Sequence, residues 1–234
     1  MARKPADQTV SREDVLFAAA RVFRLRGYHG ATMQLIADEL GLRQSSLYHY
    51  FPSKRALLLT LVNEGVERLT LFVARATLPS LPPDARLAAA IRAYLCAIAA
   101  HPDVALVTIL EARAILDTPA ERQVYTGKRD EMEKLFASII DDGIREGLFR
   151  PVDVSIVTKI LFSVHNWFVI WYRPEGRLSA DAIGQIVSDL FLAGLRTGAW
   201  GMLEDDLAVV PAWSFVFPGL SAPILNLQSE GDNL

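Results

Sequence analysis

Cysteine is almost missing from this chain. Cys96 is the single one in 234 residues, which excludes an intramolecular disulfide and makes a reducing cytoplasm the simple expectation. It lies in the apolar run Tyr94-Leu95-Cys96-Ala97-Ile98, where a buried structural thiol is expected over a reactive one. No stretch of about 18 apolar residues free of charge occurs, so neither a transmembrane helix nor a membrane partner is expected. The start, Met1-Ala2-Arg3-Lys4-Pro5, has no apolar core of a signal peptide. The four histidines, His29, His49, His101 and His165, lack metal-binding spacing. There is no Gly-rich phosphate loop and no Gly-x-Ser-x-Gly elbow, and the pairs Asp141-Asp142 and Asp205-Asp206 sit on polar stretches. Catalysis, a metal and a cofactor are therefore all unexpected.

What is present is apolar bulk and lopsided charge. Hydrophobic residues make up 51% of the chain and charged ones 22%, enough to bury a sizeable core. Residues 1–55 hold nine Lys/Arg against five Asp/Glu, whereas the remainder holds fifteen against twenty-two. A basic N-terminal module on an acidic body is the asymmetry expected when one end meets phosphate.

The patterning is helical throughout, so the fold class is all-α. Ser11-Arg12-Glu13-Asp14 reads as a capping box, and the apolar stripe that follows stops at Gly27. Thr32 caps a second helix that ends before Gly41, a residue suited to the left-handed backbone of a tight turn. A third helix spans Gln44 to Tyr50, and Ser53 caps a fourth running to about Leu78. Further helices are predicted over 85–100, 103–115, 119–146, 153–172 and 180–196. This divides the chain into a three-helix head (1–52), a helical-bundle body (53–196) and an irregular extension (197–234).

Two short helices joined by a glycine turn form the helix-turn-helix arrangement. Its second helix must expose polar residues at its start while the far side packs inward. Arg43, Gln44, Ser45, Ser46, Tyr48 and His49 make the exposed set, and Leu42, Leu47 and Phe51 the packing set. Arg can pair with guanine and Gln with adenine in the major groove. Ser46, Tyr48, His49, Lys54 and the start of the second helix at Thr32 suit phosphates. A solvated polar face on an unrelated small bundle would show the same spacing.

The run Gly27-Tyr28-His29-Gly30-Ala31-Thr32-Met33, then Ile36-Ala37-Asp38-Glu39-Leu40-Gly41, then Ser46-Leu47-Tyr48-His49-Tyr50-Phe51 with Ser53-Lys54, resembles the TetR family of bacterial regulators. The resemblance implies a homodimer whose two heads hold a palindromic double-stranded DNA operator. It implies base reading by Arg43, Gln44 and Ser45, and phosphate contact by Thr32, Ser46, Tyr48, His49 and Lys54. It also implies a transcriptional regulator, by default a repressor, released by a small molecule. A helix-turn-helix protein whose C-terminal domain docks a protein partner is the alternative.

In the C-terminal part, the 153–172 helix is apolar on two faces, Val154, Val157, Leu161, Val164 and Phe168 on one, Ile156, Ile160, Trp167, Ile170 and Trp171 on the other. Such a helix lies inside a bundle or between subunits. The resemblance implies that it forms the dimer interface of a ligand-binding and dimerisation domain (53–196) together with the 180–196 helix, whose Ala193 and Gly194 permit close approach. Residues 166–179 and 190–195 are similar to a subset of TetR-like regulators of lipid and steroid catabolism that respond to acyl-coenzyme A thioesters, which implies a hydrophobic effector and a long apolar cavity. Its expected contacts are Tyr94, Leu110, Arg113, Phe136, Ile140, Phe162, His165, Asn166, Trp167 and Trp171, with Glu111 a further polar candidate and Arg113 and Arg173 as cations near the mouth. For His165 a core histidine is an equal expectation, and for the aromatics a place in core or dimer interface.

Overall fold

The computed structural model describes residues 10–111, 116 and 118–198, the side chains of residues 110 and 111 excepted. Nine α-helices lie among them: α1 (Arg12–Gly30), α2 (Met33–Glu39), α3 (Gln44–Leu47), α4 (Lys54–Ala76), α5 (Pro83–Ala100), α6 (Pro102–Leu106), α7 (Pro119–Arg145), α8 (Val154–Trp171) and α9 (Ala180–Leu195). Among the described residues there is no strand, only an isolated bridge between Phe149 and Arg196. The expected irregular extension lies outside the described residues from 199 onward.

Local chemistry sets most helix starts. Ser11, Thr32, Ser53, Thr118, Asp153 and Ser179 each accept a bond from the amide three residues on, satisfying a donor that the first turn leaves orphaned. Three boundaries depart from the sequence expectation. Gly27, at φ +65°, kinks α1 instead of ending it, and one more turn runs to Gly30. Regular α3 stops at Leu47, and His49 and Tyr50 close tighter bonds to residues three back, because Pro52 steers Phe51 away from helical geometry. The helix expected over 103–115 is α6 followed by a single π-helical turn, Val107–Glu111. Within it the buried Thr108 carbonyl accepts from the Tyr125 hydroxyl at 2.8 Å, a side-chain partner that holds the widened turn.

Two hydrophobic cores meet along α4. The first joins Val15 and Phe23 of α1, Ile36, Leu47 and Phe51 to Leu57, Leu61 and Val66 of α4. The second begins at Val73 and gathers Ile91 and Leu95 of α5, Phe136 and Ile139 of α7, Leu161 and Phe168 of α8 and Leu192 of α9. The first half of α4 thus belongs to the head and the last turns to the body, which makes α4 a strut between them. α9 packs along α5 at Gly184, where a Cβ would come within 3.0 Å of the Arg92 Cα. Gly194, by contrast, has open space before it within the single chain.

One face of α8 carries Ile156, Ile160, Trp167 and Trp171 to the surface, and α9 adds Ile186 and Leu190. By length and composition α8 could cross a membrane, but a third of it is buried within the fold. Its apolar excess is divided between that core and this outer face.

Candidate nucleic-acid interface and effector cavity

The head presents its polar residues on one side. Leu47 is fully buried and Phe51 nearly so, which turns Arg43, Ser45, Tyr48 and His49 outward, with Gln44 and Ser46 half-buried between them. Gln44 Nε2 donates to the Tyr48 hydroxyl at 3.3 Å, which ties the first residue of α3 to the residue that caps its end. Thr32 is exposed at the head of α2 while its oxygen accepts from Leu35 N at 3.1 Å. Seven of the eight residues expected to meet DNA therefore lie free of the core along α2 and α3.

Lys54 differs. Its ammonium donates to the carbonyls of Tyr28 at 2.7 Å and Ala31 at 2.8 Å and lies 4.3 Å from the centre of the Tyr28 ring. It closes the end of α1 onto the start of α4, leaving one N–H for a phosphate. Charge-assisted bonds of this kind contribute about 1.5–3 kcal/mol each. Lys54→Met should therefore lower the unfolding free energy by about 2 kcal/mol in urea titration. Unchanged stability would return the residue to a purely phosphate-facing role.

Behind the head, a cavity of about 760 Å³ opens among α4, α5, α6, the π turn, α7 and α8. Leu69 and Phe72 of α4, Ile98 of α5, Val104 of α6, Ile109 of the π turn and Met132 of α7 make its wall mainly apolar. Glu13 and Phe17 of α1 complete it, so the head itself forms part of the boundary. Phe17 stacks on His101 at 5.2 Å, and Arg24 pairs with Asp103 of α6 at 2.5 Å.

Of the residues expected to line a cavity, Tyr94, Phe162 and Asn166 do so. The Tyr94 hydroxyl points to Asn166 Oδ1 at 3.5 Å, and burial pushes its phenol well above the usual range. Phe136 and Ile140 are fully buried in the second core, behind the wall. Trp167 and Trp171 are 64% and 49% exposed on the outer face of α8, because the inward face of that helix is taken by Leu161, His165 and Phe168. Arg173 donates to the carbonyls of Ile170 and Tyr172, which fastens it to the end of α8. The side chains of Leu110, Glu111 and Arg113 lie outside the described residues. Sequence reasoning missed Arg68 and Arg129, which do line the cavity, as well as the apolar wall from α4. The one available signal was the surplus of apolar positions on α4. Cys96 is half-buried on the wall, with burial pushing its thiol up.

His165 lies just behind this wall, fully buried. Its ring stacks on Tyr94 at 4.3 Å and meets the edges or faces of Phe136 and Phe162. Neither ring nitrogen has a hydrogen-bond partner, and burial lowers its pKa from 6.5 to about 3. An unfolded chain takes up this proton near pH 6.5, whereas the folded one refuses it until about 3, so the stabilisation is complete above 6.5 and is lost as pH falls. The loss should reach about 2 kcal/mol at pH 5, at roughly 1.4 kcal/mol per pH unit. Urea midpoints at pH 7 and 5 should fall less for His165→Phe than for the native chain; equal falls would show that the imidazole is not the proton sink.

Residues 15–61 match the family model for bacterial regulatory proteins of the tetR family, and residues 80–195 match a tetracyclin repressor-like C-terminal domain. The HTH-type transcriptional repressor KstR2 of Mycobacterium tuberculosis is 31% identical over 186 residues, covering 79% of this chain and 92% of that protein. The chain belongs to the TetR family. It is a DNA-binding transcriptional regulator, and the match over residues 15–61 takes in the helix-turn-helix of α2 and α3. The structure of KstR2, described as a ketosteroid transcriptional regulator, superposes with a TM-score of 0.72 at 30% identity, covering 82% of this chain and 98% of that one. The HTH-type transcriptional activator FasR of Mycolicibacterium smegmatis is 30% identical across 70% of this chain and 74% of its own length. AibR, solved with isovaleryl coenzyme A and operator DNA, has the same TetR fold with a TM-score of 0.68 at 23% identity, over 76% of this chain and 96% of that one.

Proposed function

We propose that this TetR-family chain is a homodimeric repressor that holds a palindromic operator and releases it when a hydrophobic small molecule, such as an acyl-coenzyme A thioester, fills the cavity. The observation that carries the reading is the wall shared with the head: Glu13 and Phe17 of α1 border the same space as Tyr94, Met132 and Asn166 of the body. Thr108 and Ile109 of the π turn line that space and α6 runs directly into the turn, so an occupant pressing on them would displace α6. α6 is joined to α1 through the Phe17–His101 stack and the Arg24–Asp103 pair. A ligand shifts such an equilibrium only by its differential affinity for the two states, and about 3 kcal/mol of coupling weakens operator binding roughly 150-fold. The named repressor among the relatives is matched over more of its length than the named activator, which favours repression. The exposed apolar face of α8 and α9 suits a second copy of the chain. A domain that only docked a protein partner would have no use for a cavity of about 760 Å³, well above the roughly 300 Å³ at which small-molecule sites begin.

Operator complexes titrated with coenzyme A thioesters of increasing chain length test the effector reading. Each buried methylene adds about 0.8 kcal/mol, so release should sharpen with length until the cavity is full. Release by none of the series, or equally by all lengths, removes the acyl reading.

A further inference from the structure

The cavity wall carries two guanidiniums, Arg68 on α4 and Arg129 on α7, against one carboxylate, Glu13 on α1. α4 and α7 meet at this level, since Lys128 Nζ bonds Glu67 Oε2 at 2.7 Å, and Arg68 and Arg129 each follow next along their helices. Arg68 is engaged by Glu13 across the seam between α1 and α4, with Glu64 farther off at 3.6 Å. Arg129 lies 3.6 Å from Glu133 and 5.9 Å from the Tyr125 ring. It is close enough that its charge opposes the upward push of burial on the Tyr94 phenol. A mainly apolar wall thus ends in two guanidiniums, each already beside a carboxylate: Glu13 and Glu64 for Arg68, Glu133 for Arg129.

We propose that the effector is an anionic amphiphile whose charged group seats between Arg68 and Arg129 and takes Arg68 from Glu13. This rests on the cavity being the effector site and adds the chemical class of its occupant. The side chains of Arg68 and Glu13 are 56% and 50% exposed, and a pair so exposed is weak. An anion delivered by a buried apolar tail can displace Glu13, because the tail supplies the binding energy and the carboxylate or phosphate supplies the exchange. The exchange also reads out directly in the head. Glu13 belongs to the first turn of α1, next to the Asp14 that closes the capping box with Ser11. Of the two ion pairs joining α1 to α4 here, Arg12–Glu64 stays and Glu13–Arg68 is released.

The test measures calorimetric binding of decanoate, decanol and decanoyl-coenzyme A to the full chain. In the native protein decanoate should bind at least about tenfold tighter than decanol, since a charge-assisted contact to Arg is at stake. Arg129→Gln and Arg68→Gln should each cost decanoate or the thioester about tenfold and leave decanol unchanged, the decanol arm proving the cavity intact. Glu13→Gln should tighten the anionic probes about threefold and not decanol, an effect that loss of a structural tie would not produce. Dependence on the arginines for the thioester alone identifies the coenzyme phosphates as the anion, dependence for decanoate alone identifies a carboxylate, and dependence for both shows a seat that takes either anion. Arginine variants that leave the ratio of anionic to neutral binding unchanged overturn the anchor while the cavity reading stands. Binding of no probe to the native chain overturns both.

Discussion

Replacing Trp167 and Leu190 together by glutamate should leave the chain monomeric and remove its hold on a two-half-site operator. These side chains are 64% and 69% exposed in the single chain, so the fold has no need of them and helical content should not change. Pressed against a second copy, the new carboxylates would be buried without partners, at a cost of several kcal/mol for each interface. Ile156, Ile160 and Trp171 of α8 and Ile186 of α9 are exposed as well, but Trp167 and Leu190 are the most exposed large hydrophobic residue on each helix, which is why these two substitutions are chosen. The neighbouring Phe191 is unsuitable, because it packs on the second core and its loss would damage the protomer itself. Light scattering on the purified variant gives the answer: a monomer of native helicity is expected, and a dimer would move the interface elsewhere.

The second large effect is expected at α3. Arg43 is exposed at the cap of this helix without a side-chain capping bond, and Gln44 is steadied by the Tyr48 hydroxyl. Each bidentate contact to a base edge is worth about 1–3 kcal/mol of discrimination. Arg43→Ala and Gln44→Ala should each weaken operator binding about 5- to 150-fold and relax preference at one base position per half-site. Affinity for random DNA should change far less. Binding to a panel of single-base operator variants separates the cases, and an unaltered preference in both mutants would take base reading away from these two residues.

Much of the architecture was legible because it is written in short-range chemistry. Ser11, Thr32, Ser53, Thr118, Asp153 and Ser179 announce their helices by a side chain that bonds three residues on. Leu47 and Phe51 face inward as expected. The departures come where a second influence acts. Gly27 kinks its helix without ending it because the turn to Gly30 still finds a bond from Ala31 N to the Gly27 carbonyl. The π turn depends on Tyr125, which lies 17 residues beyond the carbonyl it bonds and is invisible to any local pattern.

The cavity was legible only in part, for a related reason. Periodicity shows that α8 has two apolar faces but not which one looks inward; Leu161 and Phe168 do, and Trp167 and Trp171 do not. Arg68 and Arg129 sit among charges on amphipathic helices, where a solvated face is the ordinary reading. Only the tertiary contact of α4 with α7 brings them to one wall. Lys54 matched a phosphate-contacting position by its place in the chain, while its three-dimensional neighbours are the Tyr28 and Ala31 carbonyls.

The most direct measurement is to sequence the DNA that the pure native chain selects from a random duplex pool, and to repeat the selection with decanoyl-coenzyme A present. Two heads on one symmetric dimer predict an inverted repeat whose half-sites lie about one helical turn, roughly 34–36 Å, apart. The thioester should abolish that enrichment. Selection of a single unrepeated motif, of no motif at all, or of the same repeat undiminished by any cavity-filling ligand would contradict a dimeric regulator whose cavity governs its grip on DNA.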